Sequence, residues 1–451
     1  MYKSSLLILS SFFVLTSKSQ EKIKLITLDP GHFHAALIQK SMYPQVDPSV
    51  HVYAEEGNDL KWHLERIEGY NKRSESPTNW QEKVYTGKDF FKKMIAEKQG
   101  NVVVLAGNNR LKTSYILEAI QNGYNVFADK PMVINLVGFN QLKKAFAIAK
   151  QKNVQLYDIM TERYEITTIL QRAFSLQPEV FGQLEKGTPN DPAVTKESVH
   201  HFYKYVSGSV LTRPSWFFDV NQEGDGIVDV TTHLVDLIQW ECFPEKIINY
   251  TKNVHILQAN SWNTAITPGE FMAVTKETQI PEYLQSIKDA KGNLQVKSNG
   301  AFTYTINGVH AKVSVIWNYK APDGTGDTHY SLMRGSLASL VIKQGKEEQY
   351  KPTLYIYPVK NTATYETSLT NAVAALQANY PGISFKKADK GFEVIIPEKY
   401  KEGHESHFAR VTEKYLEYLQ HKNMPTWEVP NMIAKYYTTA MARELAEKPQ
   451  K

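Results

Sequence analysis

Residues 101–131 read NVVVLAGNNRLKTSYILEAIQNGYNVFADKP, and the fold class follows from this stretch. Val102–Leu105 is a short, wholly apolar run, the pattern of a parallel strand covered on both faces. Helical spacing follows from Thr113 to Asn122 and is closed by Gly123, a residue suited to the position just past a helix. Asn125–Ala128 is the next strand, stopped at Asp129-Lys130-Pro131. Strand, helix and strand in this order make a βαβ unit of a parallel sheet.

The same alternation extends on both sides. Upstream, residues 22–28 form a β-rich run ended by Asp29-Pro30-Gly31, because Pro and Gly punctuate a strand. His32–Tyr43 has helical spacing, and Val50–Ala54 is a strand that ends in Glu55-Glu56-Gly57. Residues 57–85 are polar and irregular and predict an inserted loop with a helical piece, before a helix over Phe90–Lys98. Downstream come a helix over Val137–Lys152 and a strand over Val154–Asp158. Ligands of such sheets sit at the carboxyl ends of the strands, so the tips that matter are 29–34, 55–56, 106–110 and 129–132.

Beyond residue 160 the texture changes. A helix is predicted over Glu162–Phe174, a Pro/Asn/Asp-rich loop over 187–197 and a helix over Val228–Trp240. β-type segments follow at Ile247–Val254, Phe302–Ile306, Val309–Tyr319, Ser339–Ile342, Leu354–Tyr357 and Phe392–Ile396. Asn307-Gly308 between two alternating runs is a strong hairpin signal. Residues 405–421 and 428–446 read as closing helices. The expected architecture is α/β: a Rossmann-type parallel-sheet domain over 20–158, then a C-terminal α+β domain over 159–451 with a large, open, mostly antiparallel sheet.

Composition narrows the function. The 451 residues are 42% hydrophobic and 22% charged, ordinary for a globular protein able to bury a large core. The net charge of +5 is dispersed and basic runs are absent, which argues against nucleic acid as partner. The single cysteine, Cys242, lies beside Trp240 and Phe243 and reads as a buried thiol; zinc spacings do not occur. Lys3, the apolar run Leu6–Leu15 and Ser17-Lys18-Ser19 have the order of a signal peptide, assigned to residues 1–19. That predicts an exported protein, periplasmic or extracellular, with no membrane insertion after cleavage, since no other stretch is long and apolar enough to span a bilayer.

Two segments carry chemistry. In the first, Gly123 to Met132, the lysine of Asp129-Lys130-Pro131 stands at a strand tip, held rigidly by the following proline. In the second, Gly226 to Asp236, Asp229 and His233 are spaced i, i+4 and share a helix face with Asp236. A carboxylate beside an imidazole suits a general base, and an ammonium at the ligand edge suits a developing alkoxide. The first segment resembles the Glu-Lys-Pro segment of the Gfo/Idh/MocA oxidoreductases, the family of glucose–fructose oxidoreductase and inositol dehydrogenase. The second is similar to that family's Gly-x-x-x-Asp-x-x-x-His-x-x-Asp helix, one residue shorter after the glycine. The resemblance spans most of 21–340, and the longer C-terminal part looks like the family's secreted branch. It implies catalytic roles for Lys130, Asp229 and His233, NAD as cofactor with NADP as the alternative, and a homo-oligomer.

The cofactor turn departs from the G-x-G-x-x-G pattern. It reads Asp29-Pro30-Gly31-His32-Phe33-His34, with Gly31 matching the family's third glycine. Gly31, His32 and His34 are expected against the dinucleotide, Glu55, with Glu56 as an equal candidate, against the adenosine ribose, and Ala106, Asn108, Asp129 and Lys130 along the remaining tips. No metal is expected, because His32 and His34, at i, i+2, do not share a helix face. Arg163, Arg213, Trp216 and Asp219 are the substrate candidates, for a small carbohydrate or cyclic polyol. The expected activity is hydride transfer at a carbinol or ketone, with a role in glycoside breakdown. The rivals are an exported sugar-binding protein on the same scaffold and a metal-assisted lyase using His32, His34 or His233.

Overall fold

A computed structural model of the protein describes residues 22–206, 209–322 and 325–448, so the proposed signal peptide lies outside the described residues. Six strands build the first sheet: β1 (Leu25–Leu28), β2 (Ser49–Ala54), β3 (Gln81–Thr86), β4 (Val102–Leu105), β5 (Asn125–Asp129) and β6 (Leu156–Ile159). Their order is β3-β2-β1-β4-β5-β6, and every pairing is parallel. The order reverses between β1 and β4, which places the switch-point crevice at the turns after these two strands.

Residues 57–85 are more regular than their polarity suggests. They hold a helix, Asn58–Lys72, and the edge strand β3, whose side chains are largely solvent-facing. The helix after β1 is shorter than its sequence spacing implies and spans only His34–Ile38.

The second sheet has nine strands in the order Val254–Ile266, Leu294–Ile306, Val309–Lys320, Val194–Tyr203, Thr328–Arg334, Ala338–Lys343, Thr353–Pro358, Gly391–Ile395 and Ser384–Ala388. One pairing, Val309–Lys320 with Val194–Tyr203, is parallel, and the rest are antiparallel. The Asn307-Gly308 turn is as the sequence predicts: Ile306 faces Val309 and both turn residues take positive φ, 51° and 79°. The expected loop over 187–197 is cut short, because Val194 opens a central strand. The expected strand Ile247–Val254 is a helical turn, Tyr250–Asn253, from which the strand Val254–Ile266 departs.

The closing helices return to the first domain. His404–His421 packs on the parallel sheet, with Tyr415 stacked on Phe127 at 4.3 Å between ring centres. Glu428–Ala446 joins the two halves through Lys435, fully buried, whose Nζ lies 2.6 Å from Asp158 and 2.7 Å from Asp236. Cys242 is half-buried against the second core, and burial raises the pKa of its thiol. No helix among the described residues is long and apolar enough to cross a membrane.

Candidate active site

Lys130 follows the last residue of β5 and reaches from the strand tip toward the second domain. Its Nζ donates to Asp229 Oδ1 across 99 residues of sequence. Both side chains are nearly enclosed, 10% and 7% exposed, so the pair is weakly screened. Asp229 ends a short helix, Gly226–Asp229, which the Asp225 side chain caps by accepting from the Val228 amide at 3.2 Å. Gly226 is required there: a Cβ would lie 2.0 Å from the Ser298 carbonyl oxygen of the second sheet. A second helix, Thr231–Cys242, continues past Val230 and carries His233. Lys130, Asp229 and His233 therefore line one cavity of about 1180 Å³ between the parallel strand tips and the open sheet.

The electrostatics correct one expectation. Asp229 bonds Lys130 rather than raising the basicity of His233. Burial opposes charge on the lysine, but Asp229, Asp129 and Glu223 outweigh it and hold its pKa above the ordinary value. Burial, and then the Lys130 charge, push His233 down to about 3, so its imidazole is neutral at any working pH. His233 Nδ1 is buried without a hydrogen-bond partner.

His32 and His34, expected to point apart, come together because His32 lies in the turn before the helix. His34 Nδ1 is 2.9 Å and His32 Nδ1 3.4 Å from the same oxygen, Asp129 Oδ2. Their rings meet edge to face at 4.0 Å. Burial lowers the pKa of both imidazoles, His32 to about 4 and His34 well below its usual value.

The dinucleotide turn is tightly built. A Cβ on Gly31 would lie 2.8 Å from Asp59 Oδ2 and 2.9 Å from Trp216 Cζ2, so any larger residue would displace these side chains. The Gly31 and His32 amides donate to the Ala106 carbonyl at 3.3 and 3.1 Å, which ties the turn after β1 to the turn after β4. Asn108 caps the next helix at the Arg110 amide and donates from Nδ2 to Gln222 at 2.8 Å. Glu55 is exposed at the tip of β2. Asp29 and Asp59 lie on the same side. Burial raises each to about 6, and Asp59 and Glu55 add to the effect at Asp29. The adenosine end of dinucleotide binding thus fits this chain, while the pyrophosphate end is acidic and has two of its amides already bonded.

The substrate candidates separate. Arg213 lines the cavity, but its guanidinium donates to the Phe202 and His201 carbonyls at 2.7 and 2.9 Å. Trp216 faces the turn after β1 and donates from Nε1 to Asp59 at 2.7 Å, so it is no platform in the cavity. Asp219 accepts from the Asn221 amide at 2.9 Å and shapes its own turn. Arg163 is a buried structural cation, bonded to Asp236 at 2.6 Å and Glu428 at 3.0 Å, and does not border the cavity.

Two groups were not foreseen. Glu162 and His404 pair across the cavity wall, with Nδ1 to Oε1 at 3.3 Å, from segments too distant in sequence to suggest it. Glu223 is buried beside Asp229. Burial first, then the Asp229 charge, raise its pKa well above the usual value, against the pull of Lys130 and Lys112.

Residues 170–447, more than half the chain, match the family model described as "Putative oxidoreductase C terminal domain". Residues 61–158 match "Oxidoreductase family, NAD-binding Rossmann fold", the Gfo/Idh/MocA model. The chain belongs to the Gfo/Idh/MocA oxidoreductase family. It is an oxidoreductase with an NAD-binding Rossmann domain, and the family match begins after the remodelled turn. A crystal structure of a "putative oxidoreductase" from Parabacteroides merdae is 55% identical over 95% of this chain and 98% of its own, with a TM-score of 0.92. Similar folds at low identity include a levoglucosan dehydrogenase solved with NADH and levoglucosan, 14% identical over 94% of this chain and 97% of its own, TM-score 0.57. Another is a 3-ketoreductase from Actinomadura kijaniata with NADP, 12% identical over 94% and 97%, TM-score 0.56. No curated protein matches the chain.

Proposed function

We propose that this exported enzyme transfers hydride at a ring carbinol or ketone of a carbohydrate or cyclic polyol. The observation that carries the reading is the meeting of Lys130, Asp229 and His233 at one cavity wall, at the ligand edge of a parallel sheet. When bound, the nicotinamide supplies the hydride acceptor. The chain's own residues manage the proton and the charge. His233, neutral and partnerless at Nδ1, takes the hydroxyl proton as the carbon is oxidised and returns it in reduction. The Lys130 ammonium balances the alkoxide charge that develops on the same oxygen. Asp229 keeps that ammonium charged and aimed.

A sugar substrate is supported by the polar lining and by the fold neighbours that act on sugars. At about 1180 Å³ the cavity exceeds the roughly 300–1,000 Å³ of a drug-sized ligand site. That size favours a glycoside with its attached group over a bare monosaccharide. The acids Asp29, Glu55 and Asp59 favour NAD over the more anionic NADP.

The test is to denature the purified protein and measure released NAD(H) by mass, then to follow NADH absorbance with a panel of glycosides and polyols. Nucleotide release or saturable NAD binding, with turnover of at least one ring alcohol, is the expected result. Absence of binding at millimolar NAD overturns the reading in favour of a sugar-binding protein.

A further inference from the structure

We infer that His32, His34 and Asp129 form a divalent-cation site of the imidazole–imidazole–carboxylate type that opens onto the cavity beside Lys130. One donor atom from each residue lies within 4.8 Å of the other two. Both imidazole nitrogens converge on a single carboxylate oxygen, at 2.9 and 3.4 Å. A hydrogen bond accounts for the His34 contact, but not for His32, whose Nδ1 is aimed at the same oxygen without bonding it. The other oxygen of the same carboxylate, Asp129 Oδ1, is buried with no hydrogen-bond partner, and so is His32 Nδ1. Asp129 is 2% exposed, so those unmet capacities are not satisfied by bulk water. Three potential ligands drawn to one point, with donor and acceptor capacity left over, is the geometry of a preformed cation cradle.

The backbone around the trio is fixed, as a ligand set requires. The Gly31 and His32 amides are bonded to Ala106, and Lys112 Nζ donates to the Asp129 carbonyl at 3.3 Å. The neighbouring cations are directed elsewhere: Lys130 to Asp229, and Arg213 to the carbonyls of Phe202 and His201. His32 and His34 both line the cavity, so an ion held there faces it with its remaining coordination positions. Two nitrogens and one carboxylate oxygen suit zinc or cobalt better than calcium or magnesium. The open positions would take water or a pair of substrate hydroxyls, which is metal binding of the catalytic rather than the closed structural kind.

The experiment strips the purified protein with a chelator, titrates it with Co²⁺ while recording the visible spectrum, and counts Zn²⁺ by mass spectrometry after dialysis. About one ion per chain is expected, with binding weakened at least ~100-fold in His32→Gln and in Asp129→Asn. His32 is only partly enclosed, at 13% side-chain exposure. The His32→Gln variant therefore keeps the test decisive if Asp129→Asn fails to fold. A wild-type spectrum unchanged up to about 1 mM Co²⁺, or variants that titrate like the wild type, overturns the inference. The titration uses neither dinucleotide nor sugar, so its outcome is independent of the hydride-transfer reading.

Discussion

Replacing Lys130 by Met tests the site through two separable quantities, stability and turnover. The side chain is nearly buried, and its ammonium is bonded to an equally buried carboxylate. Removing one member of such a pair leaves the other charge uncompensated, at a cost of about 3–5 kcal/mol. Asp229 relieves part of that by taking up a proton. Without Lys130, the main group holding its pKa down is gone and burial drives the pKa upward. The expected net loss is about 3 kcal/mol at pH 8, and less at pH 5, where protonation is easier. Adding Asp229→Asn removes the stranded charge, so the double variant should recover most of the lost stability. Turnover should follow a different course. The group that balances the alkoxide is absent in both variants, so each falls by roughly 10²–10³ in kcat. Urea unfolding at the two pH values and NADH formation with an active sugar measure the two quantities. Stability unchanged in Lys130→Met, a double variant less stable than the single, or turnover restored along with stability would refute the reasoning.

Three further outcomes follow from the same geometry. His233→Asn should reduce the rate by about 10²–10⁴. Because the wild-type imidazole titrates near 3 rather than 6.5, kcat/KM should show no acid limb between pH 5 and 7; a limb there would contradict the burial argument. Asp59→Asn should stabilise the protein at pH 8. The carboxyl pKa is raised from 3.8 to about 6, so the fold holds a proton the unfolded chain has released, and stability contributed by that group is lost as pH rises through 4 to 6. Asparagine still accepts from Trp216. The gain should be about 1–2 kcal/mol after discounting for solvent screening, and unfolding curves at pH 4 and 8 that shift equally in both proteins would count against it. Arg163→Met should cost about 3–5 kcal/mol by stranding Glu428 and leaving Asp236 with Lys435 as its one remaining cation while leaving KM for the sugar unchanged. A raised KM with normal stability would return Arg163 to the substrate.

The parallel domain was readable because β4 and β5 are buried on both faces and so appear as unbroken apolar runs. β3 was not, because an edge strand of Gln, Glu and Lys residues carries no such pattern. The central strand Val194–Tyr203 hid for another reason. Its core-facing Lys196 is fully buried and paired with Glu241 at 2.8 Å, so polar residues occupy core positions. At the site, residue types were legible and partners were not. The i, i+4 spacing correctly put Asp229 near His233, but it says nothing of an ammonium arriving from a distant strand tip. In a buried setting the full charge of Lys130 is the stronger partner for the carboxylate. Trp216, Asp219 and Arg163 were misplaced because their composition suits a sugar, while their bonds go to Asp59, a local turn and a buried ion cluster.

Asp129 and Lys130 show how one dipeptide serves both halves of the site. Successive side chains at a strand end project to opposite sides. Asp129 turns toward His32 and His34 after β1, and Lys130 turns toward Asp229 from the second domain. Asp129 still adds to the field on the ammonium, but the alternation leaves Asp229 as its hydrogen-bond partner, and each of the two adjacent residues finds a partner from a different part of the chain. Inserting one residue before Asp129 would exchange their directions, setting an ammonium against two imidazoles and a carboxylate against Asp229. Both sets of interactions would then be repulsive or unsatisfied. The register of β5 against β4, Leu105 opposite Ala128, therefore fixes the chemistry of the cavity as well as the packing of the sheet.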